Sequence, residues 1–226
     1  MIYFGLLFSE TIILFLLSRL MSKTLSGFMS INFLSFIFLP GIIVHELAHL
    51  LMAVILFVPV GQMEFMPKKS GNTVKLGSVE IGRTDPIRRS LIGFAPIFAG
   101  FSIIVTLVYF FSSNFSLFQD KGFYLFVALI LLLIYLLFAV SNTMFSSSKD
   151  LEGTVEILII LLIIFIAAYV LGLRPQFSIL DKIFTKEFIA LIQKSILFLL
   201  APMTIDLVIL GIVKLVINNR NRSVHR

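Results

Sequence analysis

The sequence predicts an all-α multi-pass membrane protein of about six transmembrane helices, with a short β-hairpin after the second. Three observations carry this. Hydrophobic residues make up 59% of the 226 positions and charged residues only 13%, with a mean hydropathy of +1.08, far from the composition of a soluble domain. The apolar residues gather into runs close to the ~20 residues that cross a ~30 Å hydrocarbon core. The one sizeable polar segment, 61–89, carries period-two rather than helical patterning.

The runs lie at 2–17, 31–58, 90–111, 123–140, 157–173 and 196–217. The first is short, but no basic residue precedes it, it contains Glu10, and it lacks a small-residue cleavage site, so it reads as a retained helix rather than a signal peptide. Pro40-Gly41 interrupts the second run; irregular backbone at membrane depth is tolerated where it lines a wet cavity, so a cavity is expected nearby. Within 61–89, the turn-like Ser70-Gly71-Asn72 precedes the alternating stretch from Val74 to Gly82, the pattern of a hairpin. An isolated two-stranded hairpin is marginal in water, so this one should pack on the bundle or accept a further strand. No internal repeat or long linker divides the chain, and residues 1–226 read as a single membrane domain.

Cysteine is absent, which excludes a disulfide framework, a thiolate metal site and a cysteine nucleophile. The net charge of +6 does not point to nucleic acid, because the basic residues sit in loops between spans and in the tail Arg220, Arg222, Arg226; orientation in the membrane and attraction to anionic lipid explain them. Six spans put both termini on one side, together with Lys68, Lys69, Lys75, Arg83, Arg88 and Arg89 of the 61–89 loop, Lys149 and Lys214. With the tail these are 11 of the 18 basic residues, and that excess predicts a cell-membrane protein with both termini cytoplasmic.

The second run contains His45-Glu46-Leu47-Ala48-His49. Residues four apart stack on one helix face, so both imidazoles can hold one Zn2+ ion, with the carboxylate of Glu46 as general base for a water. Two histidines and a glutamate in the hydrocarbon region are costly unless paired or coordinated, and such residues are functional by default. Catalytic zinc takes three protein ligands, and the only other histidine is His225 in the tail. The third ligand is therefore expected to be a carboxylate, from Glu10, Asp150, Glu152, Glu156 or Asp206. Asp206 and Glu10 also read as inward-facing hydrogen-bonded groups.

An HExxH in a span, then a hairpin loop, another span, and Asn142-Thr143-Met144-Phe145-Ser146-Ser147-Ser148-Lys149-Asp150-Leu151-Glu152-Gly153 at the end of the next resembles the site-2 protease family of intramembrane zinc metalloproteases. In that family the second motif runs Asn, two residues, Pro, then Asp-Gly, with the Asp eight residues after the Asn as third zinc ligand. Asn142 and Asp150 keep that spacing, while Phe145 replaces the proline and Leu151 the glycine. Leu151-Glu152-Gly153 resembles the family's Leu-Asp-Gly triplet, which makes Glu152 a rival ligand. The resemblance covers about 31–153 and implies His45, His49 and Asp150 as metal ligands, Glu46 as catalytic base, and Asn142 as a residue that holds substrate or the oxyanion.

The activity so implied is zinc-dependent endoproteolysis inside the bilayer, with a transmembrane segment of another protein as substrate, as in regulated intramembrane proteolysis. Two other classes compete. A non-proteolytic scaffold or binding protein would keep a vestigial motif and hold no stoichiometric metal. A metal transporter would line a path with His45, Glu46 and His49, against which the lack of repeats counts.

Overall fold

The computed structural model describes residues 2–65, 68–70, 73–75, 77–145 and 185–224, with isolated positions between 159 and 172. The elements are α1 (Ile2–Ser26), α2 (Ile31–Ile55), β1 (Val60–Glu64), β2 (Lys68–Ser70), β3 (Thr73–Lys75), β4 (Ser78–Ile81), α3 (Pro86–Ser113), α4 (Phe115–Gln119), α5 (Phe123–Thr143) and α6 (Lys186–Val224). Five helices are long and apolar enough to cross a membrane: α1, α2, α3, α5 and the 25-residue stretch Ile192–Val216 of α6. The chain is an all-α multi-pass membrane protein with a small β element. The apolar run 157–173 lies largely outside the described residues.

Local chemistry sets the helix ends. The Ser30 side chain accepts from the Phe33 N–H at the start of α2, and Asp85 accepts from the Arg88 N–H at 3.0 Å, with Pro86 opening α3. The end of α2 is a Schellman turn. Phe57 takes φ 56°, its N–H donates to Val54 O, and the Val58 N–H reaches back to Ala53 O at 2.9 Å. Ala53 and Val58 are buried together with Ile92 of α3, so the turn that stops α2 also docks α3 against it.

After that turn the chain folds back along α2. Antiparallel β1–β4 pairing sets Val60 against Ile81 and Glu64 against Ser78, with a bulge between Val60 and Met63, and β2–β3 continues the hairpin to Ser70 and Thr73. The expected hairpin is present and longer than the alternating pattern suggested. From Glu46 to Leu56 is ten helical residues, about 15 Å at ~1.5 Å each. From Gly82 back to Gly77 is five extended residues, about 17 Å at ~3.3 Å each. The hairpin therefore comes level with Glu46.

The helices pack through small residues and apolar layers. Phe38 stacks on Phe138 with ring centroids 5.4 Å apart, and one turn further a β-carbon on Gly41 would collide with Ala139 O and Thr143 Oγ1, so α2 and α5 run parallel in close contact. Pro40-Gly41 thus does not break α2, which continues to Ile55; Gly41 serves the approach of α5. Gly100 of α3 meets Met144 at the end of α5 in the same manner.

Leu17, Met21 and Leu25 of α1 share a core with Ile209, Leu210 and Val213 of α6, while Leu7 and Leu14 share one with Leu199 and Ala201. Residue numbers rise together, so α1 and α6 run in the same direction. Six alternating crossings would make these two helices antiparallel. The chain instead enters α6 at the face of the bundle where α5 ends.

Candidate metal centre

The HExxH segment turns its polar residues inward and its apolar ones outward. His45, Glu46 and His49 are 7%, 6% and 5% exposed, whereas Leu47 and Leu51 are 39% and 60% exposed. That inversion of the soluble pattern is what a membrane helix with an internal polar site requires.

His49 Nδ1 lies 2.8 Å from Ile92 O. A carbonyl only accepts, so Nδ1 carries the proton, and the neutral ring presents its Nε2 lone pair. His45 Nε2 stands 3.0 Å from that atom and donates a hydrogen bond to it, with the two rings at 81°. Two nitrogens bound to one tetrahedral zinc at ~2.0–2.1 Å lie about 3.3 Å apart, so a metal ion could take the place of the shared proton with a small separation of the rings. The Ile92 carbonyl fixes the His49 tautomer, the role that an outer-shell acceptor plays for metal-binding histidines in general.

Among the described residues no group of three His, Cys, Asp or Glu side chains converges. Asp150 and its rival Glu152 lie outside the described residues. The donors on α2 thus fit a zinc ion as two nitrogen ligands of an incomplete set.

Glu46 is met from the hairpin side. A β-carbon on Gly77 would stand 2.7 Å from Glu46 Oε1, 3.0 Å from Glu46 Cγ and 2.9 Å from Ile42 Cγ2. Only a residue without a side chain admits β4 this close to the carboxylate. Among the described residues each strand pairs with a single partner, which leaves an edge without a described neighbour near the depth of the motif, where backbone groups need a cavity or another strand to pair with.

Asn142 is buried on α5, but it does not stand free to donate. Its Nδ2 donates to Phe138 O at 2.9 Å and to Asp206 Oδ1 at 2.7 Å, with Ser141 Oγ at 3.5 Å. Asp206 is fully buried, as expected of an inward-facing group; its Oδ1 accepts from Asn142, and its Oδ2 has no hydrogen-bond partner among the described residues. Glu10 is also buried, and its Oε2 has no hydrogen-bond partner among the described residues.

Sequence reasoning missed Gly77, the Ile92 carbonyl and the Asn142–Asp206 contact. A lone glycine in the alternating stretch was the available sign of the first. Backbone acceptors leave no sign, and a membrane carboxylate announces itself but not its partner. Comparison with protein-family models, curated proteins and solved structures finds no match to this chain.

Proposed function

We propose that the protein is a zinc-dependent intramembrane endopeptidase of the site-2 protease kind, which cuts a transmembrane segment of another membrane protein. The observation that carries this reading is the convergence of His45 and His49 Nε2 at 3.0 Å, with the His49 tautomer fixed by Ile92 O, beside a buried glutamate at membrane depth. A bound zinc ion would supply Lewis-acid polarisation of the scissile carbonyl and of a water. His45 and His49 would hold it, with Asp150 or Glu152 as the oxygen ligand. Glu46 takes the proton from the attacking water and returns it to the leaving amine.

A helical substrate has its peptide bonds shielded and internally hydrogen-bonded, so it must unwind before it is cut. The open edge of the hairpin beside Glu46 offers an unwound segment main-chain pairing as an added strand. Hydrolysis at this level then takes place between α2 and β4.

Orientation follows from charge and from the sense of the helices. Lys68, Lys69, Lys75, Arg83, Arg88 and Arg89 lie on the hairpin face, which favours that face as cytoplasmic. The start of α1 shares that face, while the end of α6, parallel to α1, lies opposite. With that face inside, the N-terminal end lies inside and the C-terminal end outside, an arrangement that differs from the two cytoplasmic termini of six alternating crossings and sets Lys214 and the basic tail on the outer side.

The test is reconstitution of the purified protein with a panel of fluorogenic single-span peptides that carry a Gly-Pro break in the span. Wild type should cleave, and Glu46→Gln should lose cleavage while it retains zinc. Full activity in Glu46→Gln would overturn the mechanism, and a wild-type protein that cuts none of the panel and holds no zinc would overturn the reading.

A further inference from the structure

The contact between Asn142 and Asp206 joins α5 to α6 in the middle of the bundle, and proton transfer at Glu46 makes no use of it. Both side chains are buried, Asn142 at 6% and Asp206 at 0% exposure. The carboxamide nitrogen has two hydrogens, and both are engaged, one with Phe138 O and one with Asp206 Oδ1. Phe138 O is an acceptor only, which fixes which end of the amide is nitrogen. Asn142 Oδ1 has no hydrogen-bond partner among the described residues. A buried acceptor left without a donor is costly and calls for one.

The packing register sets Asn142 about one helical turn from the level of Glu46 along the bundle. Phe138 stacks on Phe38, and the parallel helices then set Asn142 level with Ile42, each one turn further on. Glu46 is one turn beyond Ile42, about 6 Å along the axis, and Gly77 of the hairpin touches both Ile42 and Glu46. An unwound substrate segment beside Glu46 has main-chain N–H groups that have lost their helical acceptors at a depth without water.

We propose that Asp206 is a positioning residue: it holds the Asn142 carboxamide so that Oδ1 accepts a main-chain N–H from the unwound substrate. The inference rests on the peptidase reading and sharpens it. With both its hydrogens engaged, Asn142 serves substrate holding and not the oxyanion. Asp206 touches neither substrate nor metal; it acts through Asn142.

The test is a double-mutant cycle on the full-length reconstituted protein, with the same fluorogenic peptides as probe. Asp206→Leu removes the acceptor and should raise KM about tenfold with kcat little changed, the factor expected for the loss of one buried hydrogen bond. Zinc content should not change. Asp206→Asn, which can still turn an oxygen to Asn142, should recover most of the loss. Asn142→Ala should cost as much as Asp206→Leu, and the double variant no more than either. Additive losses, a loss confined to kcat, or Asp206→Asn as impaired as Asp206→Leu would each overturn the proposal while the wild type still cleaves. If Asp206→Leu does not fold, Asp206→Asn together with Asn142→Ala still decides it: the first should keep wild-type KM and the second should not. Failure of the peptidase reading is distinct, since there the wild type itself neither binds zinc nor cuts.

Discussion

Gly77 lies against Glu46, so close that a β-carbon on the glycine would stand 2.7 Å from the carboxylate Oε1. The hairpin and the HExxH helix therefore meet at the one side chain assigned to proton transfer, 31 residues apart in sequence. The approach depends on the Schellman turn at Phe57, which sends the chain back along α2, and on the near-equal lengths of helix and strand that follow from it.

A methyl group at position 77 should displace the Glu46 side chain, whose Oε1 is the nearest obstructing atom, and press on Ile42 Cγ2 at 2.9 Å, a local shift rather than a loss of the fold. Gly77→Ala should lower cleavage by about a hundredfold, the order of loss that a 1 Å misplacement produces. Zinc content and the unfolding midpoint should stay near wild type. Measurement of kcat together with metal content on the same preparation checks it.

Glycines elsewhere should separate by what surrounds them. Gly41→Ala drives a β-carbon into the Ala139 carbonyl and Thr143 Oγ1 and should destabilise by about 1–3 kcal/mol, as overpacking of a tight contact does. Gly211→Ala on α6 meets nothing within 4 Å and should stabilise by about 0.5–1 kcal/mol through better helix propensity. Unfolding of both variants in the same detergent gives the comparison.

Phe57 holds a left-handed conformation at φ 56° with its side chain 90% exposed. Glycine accepts that backbone without the steric cost of about 1–2 kcal/mol that a side chain incurs. Phe57→Gly should raise stability by about 1 kcal/mol, less the added freedom of the unfolded chain, and leave cleavage unchanged. Thermal unfolding read alongside activity tests this.

The hydrogen bond that the Arg88 backbone N–H donates to Asp85 Oδ1 at the start of α3, with a smaller contribution from the Arg88 guanidinium, holds the Asp85 carboxyl below its ordinary value. A depressed carboxylate contributes stability above its unfolded-state pKa and loses it as pH falls through the folded one. The Arg88 amide proton should titrate with a midpoint below that of an ordinary aspartate, and Asp85→Asn should abolish the titration while it keeps the cap. NMR of the amide through an acid titration reads both.

The parts of this fold that were legible in the sequence are those with a period. Hydrophobic runs gave the helices, and the i, i+4 spacing of His45 and His49 gave the pair of nitrogens. Strand β1 was not legible because Gly61 and Gln62 fall in the bulge between Val60 and Met63, which breaks the alternation. The sense of α6 relative to α1 follows from which side chains pack together, and a count of apolar runs carries no such information. The Asn142–Asp206 bond spans 64 residues, and the His49 partner is a main-chain oxygen; neither type of contact leaves a local pattern.

The central claim is that His45 and His49 hold one zinc ion, and X-ray absorption at the zinc edge of the purified wild-type protein tests it most directly. The account predicts about one zinc per chain, with two imidazole nitrogens and at least one oxygen at ~2.0–2.2 Å, and loss of that signal in His49→Ala. Folded wild-type protein without stoichiometric zinc, or a zinc shell without imidazole, would contradict it.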